Sequence, residues 1–564
     1  MKNQMEVQEK IKEVLNKKLG LSEIVLEIPK DTSLGDFAFP CFQLAKIQKK
    51  APIMIAQSLA VELPKIEGIS EIKANGPYVN FFLDKKSLMK ETLLQISKEK
   101  SKYGESTIGK EKTVVIDYSS PNIAKPFGIA HIRSTVIGNS LYKIHSALGY
   151  KVVRVNHLGD WGTQFGKLMV AYRKWGDEKK LEKEGICHLV DIYVKFGEEA
   201  EIDTKLEDEA RTWFKRLEDG DKEAVELWEL FREMSLLEFK RYYKRLDIEF
   251  DSYHGEAFYN DKLDKTIKEV QSKAKTEIDD GALIVKLPQS DKEEIPPILL
   301  RKSDGASTYH TRDLAAALYR LKEYKPNKIV YVVGAPQQLH FKQLFAVLEM
   351  MGIDKDKFVH VPFGNMTYEG QMMSTRTGNF VLLEEVLDQS IALALKTIEE
   401  RNSSLKNKKD VAEIVGIGAI IFGDLVNDRV RDVDFTWEKA LDFEGETGPY
   451  LQYTHARISS LLRKADQKIS AKIDFNLLNS EAELVKQLEK FNSVIIHSLD
   501  NYKPHIIARY LLDTAQMFNS YYQNNPVLNQ EKDLRNARLL VVYSVGQVLK
   551  NGLNLLGLCA PEEM

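Results

Sequence analysis

Four polar segments rich in turn-forming residues each follow an apolar stretch that has the pattern of a buried β-strand. In chain order they are SSPNIAKPFGIAH after TVVIDY (113–118), HLGDWGTQFG after KVVRVN (151–156), GAPQQLH after KIVYVV (328–333) and GNMTYEGQMMSTRTGNF after FVHVPF (358–363). Ligands of open parallel sheets bind beyond the carboxyl ends of the strands. We therefore expect the functional groups of these four segments to meet in one cleft.

The first segment ends at an expected helix start near His131. A helix N-terminus presents free N–H groups and the positive end of a dipole, which suits a phosphate group. Lys125, His131 and Arg133 surround that start. A single histidine at a helix start is more often structural, but the lysine upstream and the strand before it favour a phosphate site.

Three common motifs are incomplete or absent. GTQFGKL has one residue too few between its glycines for a P-loop, and Leu168 stands where that motif requires Ser or Thr. No GxGxxG follows a strand, which disfavours a dinucleotide cofactor. No GxSxG is present, which disfavours the nucleophile of a hydrolase.

The elements that must position these groups fall into three regions. The apolar strands and the helix patterns between them predict an α/β fold with a doubly wound, parallel, Rossmann-like sheet in residues 109–384. An acidic, amphipathic stretch at about 165–294 predicts a helical insertion, whose charges we interpret as a solvated face. PILLRKSDGASTYHT follows with a hairpin-like pattern around Asp304-Gly305.

The flanking regions differ from this centre and from each other. Residues 1–108 mix helix and strand patterns and predict a small α+β domain. Residues 385–564 carry helical apolar spacing and predict an all-α domain. We expect the segment LVNDRVRDVDFTWEKALDF in this last region to be helical as well.

Bulk properties favour a cytoplasmic protein. The net charge of the 564 residues is −3, so a nucleic-acid partner requires a local basic surface. The cysteines are far apart without a CxxC pair, so we expect neither disulfides nor a structural zinc site. The N-terminus lacks the apolar core of a signal peptide, and no apolar run approaches about 18 residues, so we expect no membrane association.

The motifs as a set resemble one family. SSPNIAKPFGIAHIRSTVIGNSL and NHLGDWGTQFGKL are similar to the class I arginyl-tRNA synthetases, and the similarity continues through STYHTRDLAAALYR, VVGAPQQLHFKQL, MSTRTG and GPYLQYTHARI. It covers nearly the whole chain in order. The resemblance implies a ligase that activates L-arginine with ATP and transfers it to the 3′ end of the arginine tRNA. We expect it to act as a monomer.

Two class I signatures are altered. Residues 128–131 (GIAH) occupy the place of the HIGH signature, and residues 372–376 (MMSTR) that of KMSKS. The resemblance implies that Lys125, ahead of the first signature, replaces the missing second lysine of the other one. It implies catalytic roles for Lys125, His131 and Arg376. Mg²⁺ is expected as part of the ATP substrate complex, and no tightly bound metal is expected. The residues that the resemblance assigns to ATP binding are Gly128, Ala130, His131, Gly159, Asp160, Trp161, His340, Met373 and Ser374.

Arginine selection requires carboxylates, because a guanidinium group is planar and carries five donors. Asp117 is near the end of the first strand, and Asp313 is four residues after Tyr309, so a helix beginning there would place both Tyr309 and Asp313 on one face. The resemblance implies that arginine is bound by Asp117, Ser119, Asn122, Tyr309, Asp313 and Gln337. Gln338 is an alternative to Gln337, and a helix N-cap is the alternative role for Asp313.

The two ends of the chain resemble the tRNA-binding domains of the same family. The N-terminal domain would meet the tRNA corner through residues that include Asn80 and Phe81. In the C-terminal helices the candidates for stacking and phosphate contact are Tyr450, Tyr453, His455, Arg457 and Arg509. The alternative for any one of the aromatic residues is a place in the core.

Two other functions compete with this interpretation. A class I synthetase for glutamate would need a cationic pocket, which the two aspartates disfavour. One for cysteine would need zinc ligands, and the sequence has no cluster of such ligands. A non-catalytic RNA-binding protein is favoured by the altered GIAH and MMSTR signatures and disfavoured by intact SPNIAK, GDWG and YHTRD.

Overall fold

The structure is a computed structural model that describes residues 4–21, 23–29, 31, 34–288, 295–368, 370–372, 381–440 and 445–564. A small α+β region, an α/β region and a helical region follow one another along the chain. None of the helices within these ranges has both the length and the apolar character needed to cross a membrane.

The N-terminal region packs helices against one antiparallel sheet of order β1-β3-β2. Its elements are α1 (Gln4–Leu19), β1 (Phe37–Pro40), α2 (Phe42–Gln48), α3 (Pro52–Glu62), β2 (Ile69–Asn75), β3 (Tyr78–Leu83) and the connecting helix α4 (Lys85–Glu99). An apolar core joins the sheet to the helices. Asp36 pairs with Lys486 from the C-terminal helices, so this region is anchored to the far end of the chain.

Four parallel strands form the central sheet in the order β10-β9-β4-β5. They are β4 (Thr113–Asp117), β5 (Lys151–Val155), β9 (Lys328–Tyr331) and β10 (Phe358–His360). The chain goes outward from β4 to β5 and restarts at β9 on the other side of β4. The strand order therefore reverses between β4 and β9, which opens a crevice at the carboxyl edge. The doubly wound sheet expected from the sequence is confirmed, with each strand ending before its apolar run does.

Helices cover both faces of this sheet. They include α5 (Ile132–Ala147), α12 (Tyr309–Tyr324) and α13 (Gln338–Met350). Successive residues of a strand point to opposite faces: Val114 and Ile116 pack in the core that contains α5, and Val115 packs in the core beneath α12 and α13. Asp117, two residues after Val115, consequently lies on the α12 side.

The predicted insertion is helical for most of its length. It comprises α6 (Gln164–Trp175), α7 (Glu178–Glu184), α8 (Ile186–Ile202), α9 (Lys205–Glu218), α10 (Lys222–Arg245) and α11 (Leu263–Lys273). It then departs from the expectation, because β6 (Thr276–Asp279) and β7 (Ala282–Val285) form a hairpin. Asp280 and Gly281 both have positive φ, as the tight turn between the strands requires. Strand β8 (Ile298–Arg301) completes this sheet from within the hairpin-like segment.

A ribbon of three short strands lies beside the start of α5. Its order is β12-β11-β13, with bounds β11 (Met366–Tyr368), β12 (Gln371–Met372) and β13 (Val433–Phe435). Strand β13 corrects the helical expectation for LVNDRVRDVDFTWEKALDF. Its residues pair in parallel with β11, a contact between distant parts of the chain that local apolar spacing does not reveal.

Arg133 joins α5 to this ribbon and does not face the crevice, which corrects its expected place around a phosphate. The side chain is about 1% exposed. Its Nε donates to Asp424 at 2.8 Å, and its Nη1 donates to the carbonyl oxygens of Gly364 at 2.6 Å and Arg431 at 3.0 Å. One guanidinium thus satisfies acceptors from three separate segments.

The C-terminal region is an assembly of helices, as expected. They are α14 (Leu383–Arg401), α15 (Lys408–Leu425), α16 (Trp437–Ala440), α17 (Gly448–Lys464), α18 (Ala482–Glu489), α19 (Phe491–Asp500), α20 (His505–Asn524) and α21 (Lys532–Leu555). Most of them share a continuous apolar core with α5. This packing fixes the helical region directly against the α/β region.

We expect Arg133→Ala to lower the thermal unfolding midpoint strongly, since it leaves a buried carboxylate and several carbonyl groups without a donor, at a cost of about 3–5 kcal/mol. Arg211→Ala is the control, because Arg211 forms an ion pair with Asp208 in which both side chains are at least 70% exposed. The measurement is calorimetry at one fixed scan rate. Equal midpoints for the two variants would contradict the role of Arg133.

Candidate active site

The loop after β4 has an unusual backbone conformation. Ser119, Ser120 and Ala124 have φ angles of +70°, +49° and +57°, a left-handed region that residues other than glycine rarely occupy. Helix α10 of the insertion holds the loop: Ser235 Oγ accepts the N–H of Ala124 at 2.9 Å, and Tyr243 Oη lies 2.7 Å from Ser119 Oγ. Such strain persists only where surrounding contacts impose it, and it is concentrated at functional sites.

Asn122 of this loop is exposed and lies against Gly159, in the loop after β5. The N–H of Ile123 donates to the carbonyl of Gly159 at 3.2 Å, and the N–H of Gly159 donates to Pro121 at 3.1 Å. A Cβ atom at position 159 would lie 2.0 Å from Asn122 Oδ1. The missing side chain of Gly159 therefore permits the observed orientation of Asn122.

His131 closes a short 3₁₀ turn, Ile129–His131, that leads into α5. Its Nδ1 accepts the N–H of Gly128 at 3.0 Å, so in the neutral ring the proton lies on Nε2, which is a donor. Burial lowers the pKa of His131 to about 4; the hydrogen bond from Gly128 opposes this shift, and the positive charge of Lys125 adds to it. At neutral pH the ring is uncharged, and Lys125 supplies positive charge at this helix start.

Asp160 and Trp161 attach the loop after β5 to the insertion. Asp160 is about 1% exposed. Its Oδ1 accepts the N–H of Ala257 at 2.8 Å, and its Oδ2 accepts from Arg232 Nε at 3.2 Å. The ring of Trp161 packs edge-on against Trp228 of α10. Both side chains of this expected ATP-binding pair thus have partners inside the protein.

Asp313 brings together three segments at the carboxyl edge of the sheet. Helix α12 begins at Tyr309 with Thr308 as its N-cap, so Asp313 lies one turn inside the helix and is not the cap residue. Its Oδ2 accepts from His340 Nε2 at 2.7 Å, and His157 Nε2 lies 3.7 Å from its Oδ1.

The carboxylate of Asp313 is ionised at neutral pH. Burial alone would raise the pKa of Asp313, but the hydrogen bond from His340 and the charges of His340, His157 and Arg320 lower it below its ordinary value. The side chain remains about 29% exposed. It therefore keeps acceptor capacity on the side that is open to the crevice.

Asp117 has partners within the protein for both oxygens. Oδ2 lies 2.8 Å from Nη1 of Arg320, and Oδ1 accepts from Ser120 Oγ at 2.9 Å. The side chains of Asp117 and Arg320 are about 6% and 1% exposed. Asp117 thus lies at the predicted strand end, but in a buried ion pair.

The remaining candidates for arginine binding differ in accessibility. Tyr309 is 55% exposed, with its ring centroid 5.2 Å from that of His340. Gln337 is exposed at the start of α13, as is its alternative Gln338. Ser119 is a buried residue of the loop after β4, and its hydroxyl contacts those of Thr135 and Tyr243.

The structure describes some of the candidates for ATP binding and leaves others outside the described residues. Gly128 and Ala130 lie in the turn before α5, and Gly128 forms a β-bridge with Leu382. His340, expected at ATP, donates to Asp313 as described above. Met373, Ser374 and Arg376 lie outside the described residues.

Several residues at the site were missed by the sequence reasoning, namely Ser120, His157, Glu256 and Arg320. Burial raises the pKa of Glu256 to about 7, and the negative charge of Asp313 contributes. His157 directly follows the apolar run KVVRVN, so its place at a strand end was a usable signal. Glu256 and Arg320 carried no such signal, because only the folding of the insertion and of α12 brings them here.

Comparison with known proteins assigns each region to a described family. Residues 92–437 match tRNA synthetases class I (R), catalytic domain. Residues 451–564 match the DALR anticodon binding domain, and residues 5–83 match the arginyl tRNA synthetase N terminal domain.

Relatives align over nearly the whole chain. The chain is 50% identical over 562 residues to an arginine–tRNA ligase of Clostridium botulinum, covering 99% of both chains. It is 48% identical over 561 residues to the arginine–tRNA ligase of Clostridioides difficile, covering 99% of this chain and 98% of the relative. The chain belongs to the arginyl-tRNA synthetase family. The solved Thermus thermophilus arginyl-tRNA synthetase has the same architecture, with a TM-score of 0.83 at 25% identity, covering 99% of this chain and 100% of the other.

The RNA-binding candidates of this synthetase are divided between surface and core. Asn80 and Phe81 are 4% and 0% exposed, so both side chains belong to the core of the N-terminal region and not to its surface. His455 is buried as well, with Nδ1 2.9 Å from the carbonyl oxygen of Pro561.

The other C-terminal candidates are accessible. Tyr453 is 47% exposed, and Arg457 is exposed with its guanidinium over the ring of Tyr522. Tyr450 is half-buried, and its hydroxyl accepts from Asn519. Arg509 is exposed and forms an ion pair with Glu446.

We expect Gly159→Ala to reduce the arginylation rate of this synthetase about 10²-fold, because an added Cβ forces Asn122 to rotate and misplaces a group in the crevice. Gly423→Ala is the control, since a Cβ there would meet no atom within 4 Å. Steady-state arginylation and the thermal unfolding midpoint should be measured for both variants. Wild-type kinetics in Gly159→Ala would show that the orientation of Asn122 is unimportant.

Proposed function

We propose that the crevice between β4 and β9 is the place where this synthetase activates L-arginine with ATP, before it transfers the arginyl group to the 3′ end of the arginine tRNA. One observation carries the placement of the substrates. An ionised carboxylate, Asp313, is held between His157 and His340 near the start of α12, while Lys125 and the start of α5 follow the carboxyl end of β4.

The arginine side chain is recognised by charge and shape. The guanidinium group donates to the open side of Asp313 and packs along Tyr309, one helical turn earlier on the same face. Glu256 supplies a second carboxylate close to Asp313. Asn122 and Gln337, both exposed, bind the amino and carboxylate ends of the substrate.

The triphosphate of ATP binds at the start of α5. The positive end of the α5 dipole and the charge of Lys125 stabilise phosphate oxygens, and Nε2 of the neutral His131 donates a hydrogen bond. Gly128 and Ala130 let the nucleotide approach the backbone closely. Mg²⁺ arrives with the ATP phosphates. Met373, Ser374 and Arg376 are assigned to the same nucleotide by the family signature alone.

The chemistry requires alignment more than a strong base. A carboxylate oxygen of arginine attacks the α-phosphorus of ATP, and the bond from that phosphorus to pyrophosphate breaks. A terminal ribose hydroxyl of the tRNA then attacks the arginyl carbonyl carbon, and AMP leaves. Because the first nucleophile is already an anion, catalysis rests on holding it in line and on stabilising phosphate charge.

The regions on either side of the crevice serve the tRNA. The helical region from about residue 385 onward binds the anticodon arm, with Tyr453, Arg457 and Arg509 as its accessible candidates. Residues 1–108 meet the tRNA corner. We assign residues 109–384 to the catalytic domain and propose that the enzyme works as a monomer in the cytoplasm.

Variants on the two sides of the crevice should separate the two substrates. Asp313→Asn removes the charge that pairs with the guanidinium, a loss of about 2–5 kcal/mol, so the KM for arginine should rise roughly 30-fold or more while that for ATP changes little. Lys125→Met should show the opposite pattern. Asp219→Asn, at an exposed ion pair with Lys215, is the matched control. An equal rise in both KM values for Asp313→Asn would refute the pocket assignment.

Arginine binding should strengthen as pH rises through about 7. The raised pKa of Glu256 leaves this carboxyl largely protonated at about pH 6 and ionised at about pH 8, while the guanidinium stays charged throughout. Asp160, Arg312 and Asp313 are the charged groups around it. We expect the KM for arginine to fall about tenfold over this interval.

Glu256→Gln isolates this group in the pH profile. The variant should keep the KM near its low-pH value and flatten its dependence on pH, whereas the control Asp219→Asn should follow the wild type. A profile of unchanged slope in Glu256→Gln would assign the titration to another group.

A further inference from the structure

A second charged residue lies on the same face of α12 as Asp313. Arg320 is seven residues, or about two helical turns, further along the helix. Its side chain is about 1% exposed, so a full positive charge is buried beneath the site that we propose for the substrate guanidinium. A buried cation of this kind would repel a cationic substrate unless an anion compensates it.

The compensating anion comes from the sheet. Asp117 Oδ2 lies 2.8 Å from Arg320 Nη1, and the ring of Tyr331, next to Asp117 on the neighbouring strand, lies 5.6 Å from the guanidinium carbon. Asp117 reaches α12 because it follows Val115 at a spacing of two residues and so shares its face of the sheet.

The same carboxylate organises the loop that faces Asp313. Asp117 Oδ1 accepts from Ser120 Oγ at 2.9 Å, and Ser120 Oγ in turn accepts the N–H of His157 at 3.2 Å. The imidazole of His157 is one of the two that flank Asp313. A continuous polar network thus connects Arg320 with Asp313 by a route through the sheet, in addition to the helix that they share.

The charge of Arg320 acts on the substrate side of the crevice. It is one of the charges that lower the pKa of Asp313, so its field reaches the carboxylate proposed to bind arginine. Without Asp117 this field would oppose the guanidinium of the substrate by roughly ten- to thirtyfold in affinity at an effective dielectric constant of about 20.

We propose that Asp117 and Arg320 form a charge-balanced positioning pair beneath the arginine pocket, in which Asp117 acts on arginine binding by neutralising Arg320 and holding Ser120, without touching the substrate. This inference rests on the proposed arginine pocket at Asp313. It replaces the direct contact that family resemblance implies for Asp117, and it makes Arg320 a determinant of arginine affinity.

A double-variant cycle tests the pair. Asp117→Asn alone leaves Arg320 uncompensated and should raise the KM for arginine at least about tenfold, with a smaller effect on the KM for ATP. Arg320→Met alone leaves a buried carboxylate and should lower the thermal unfolding midpoint. The double variant Asp117→Asn/Arg320→Met carries neither charge and should return the KM for arginine to within about threefold of the wild type.

Recovery of the KM for arginine in the double variant would distinguish charge balance from direct contact with the substrate. A side chain that touches the substrate cannot be restored by removing a second residue, so a double variant that folds and keeps the high KM of Asp117→Asn overturns the proposal. Asp117→Asn/Arg320→Lys is the control, because it retains the positive charge and should show no rescue. If the Met double variant does not fold, Asp117→Asn/Arg320→Gln replaces it. If neither of these two neutral double variants folds, the proposal is also overturned. Where only charge has to be balanced, a neutral pair of similar size is tolerated.

The test of the buried pair can be told apart from the test of the proposed arginine pocket. If Asp313→Asn leaves the KM for arginine unchanged, the pocket itself is misplaced. If Asp313→Asn raises that KM and the double variant shows no rescue, the pocket stands and only the role of the buried pair is wrong.

Discussion

An ionised carboxylate and a cationic helix start have to stay apart within one narrow crevice. If Lys125 reached Asp313, each would neutralise the other, and neither would be available for a substrate of opposite charge. The parallel sheet prevents this contact. Helix α5 packs on one face and α12 on the other, and both begin at the carboxyl edge. Two oppositely charged substrates can therefore lie side by side.

The insertion has a larger role than its acidic composition indicates. Its charges are typical of a solvated face, and many of its side chains are exposed. Yet α10 also supplies Ser235 and Tyr243 to the strained loop after β4, and Arg232 and Trp228 to the loop after β5. Loops alone would hold these positions poorly, because left-handed backbone at non-glycine residues costs about 1–3 kcal/mol each. The inserted helices thus brace the loops of the crevice from outside.

Buried ion pairs join the segments of the catalytic region. Arg133–Asp424 ties the start of α5 to the strand ribbon and to α15, and Asp117–Arg320 ties the central strand to α12. Pairs of this kind add little net stability, because desolvation offsets their attraction. They fix the relative positions of these segments instead. Any arrangement that separated the two partners would leave a buried charge unpaired, which is strongly unfavourable. Arg133 is two residues from His131, and Asp117 is five residues from Asn122. We place His131 and Asn122 at the substrates.

Residue patterns alone predicted the family and the parallel sheet, both of which are confirmed, and the four strand ends at which we propose the site. Local patterns and dense motifs suffice for these features, because strand periodicity and the chemistry of segments such as SPNIAK are encoded within a few residues. Only the packing of distant segments showed which charged groups are buried and which remain exposed. Arg133, Ser119 and Phe81 are inside the protein, and Asp117 is paired with Arg320, which no short segment could reveal. The physical reason is that burial and ion pairing depend on the other chain segments packed against a residue, and for Arg133 and Asp117 the partners lie hundreds of positions away.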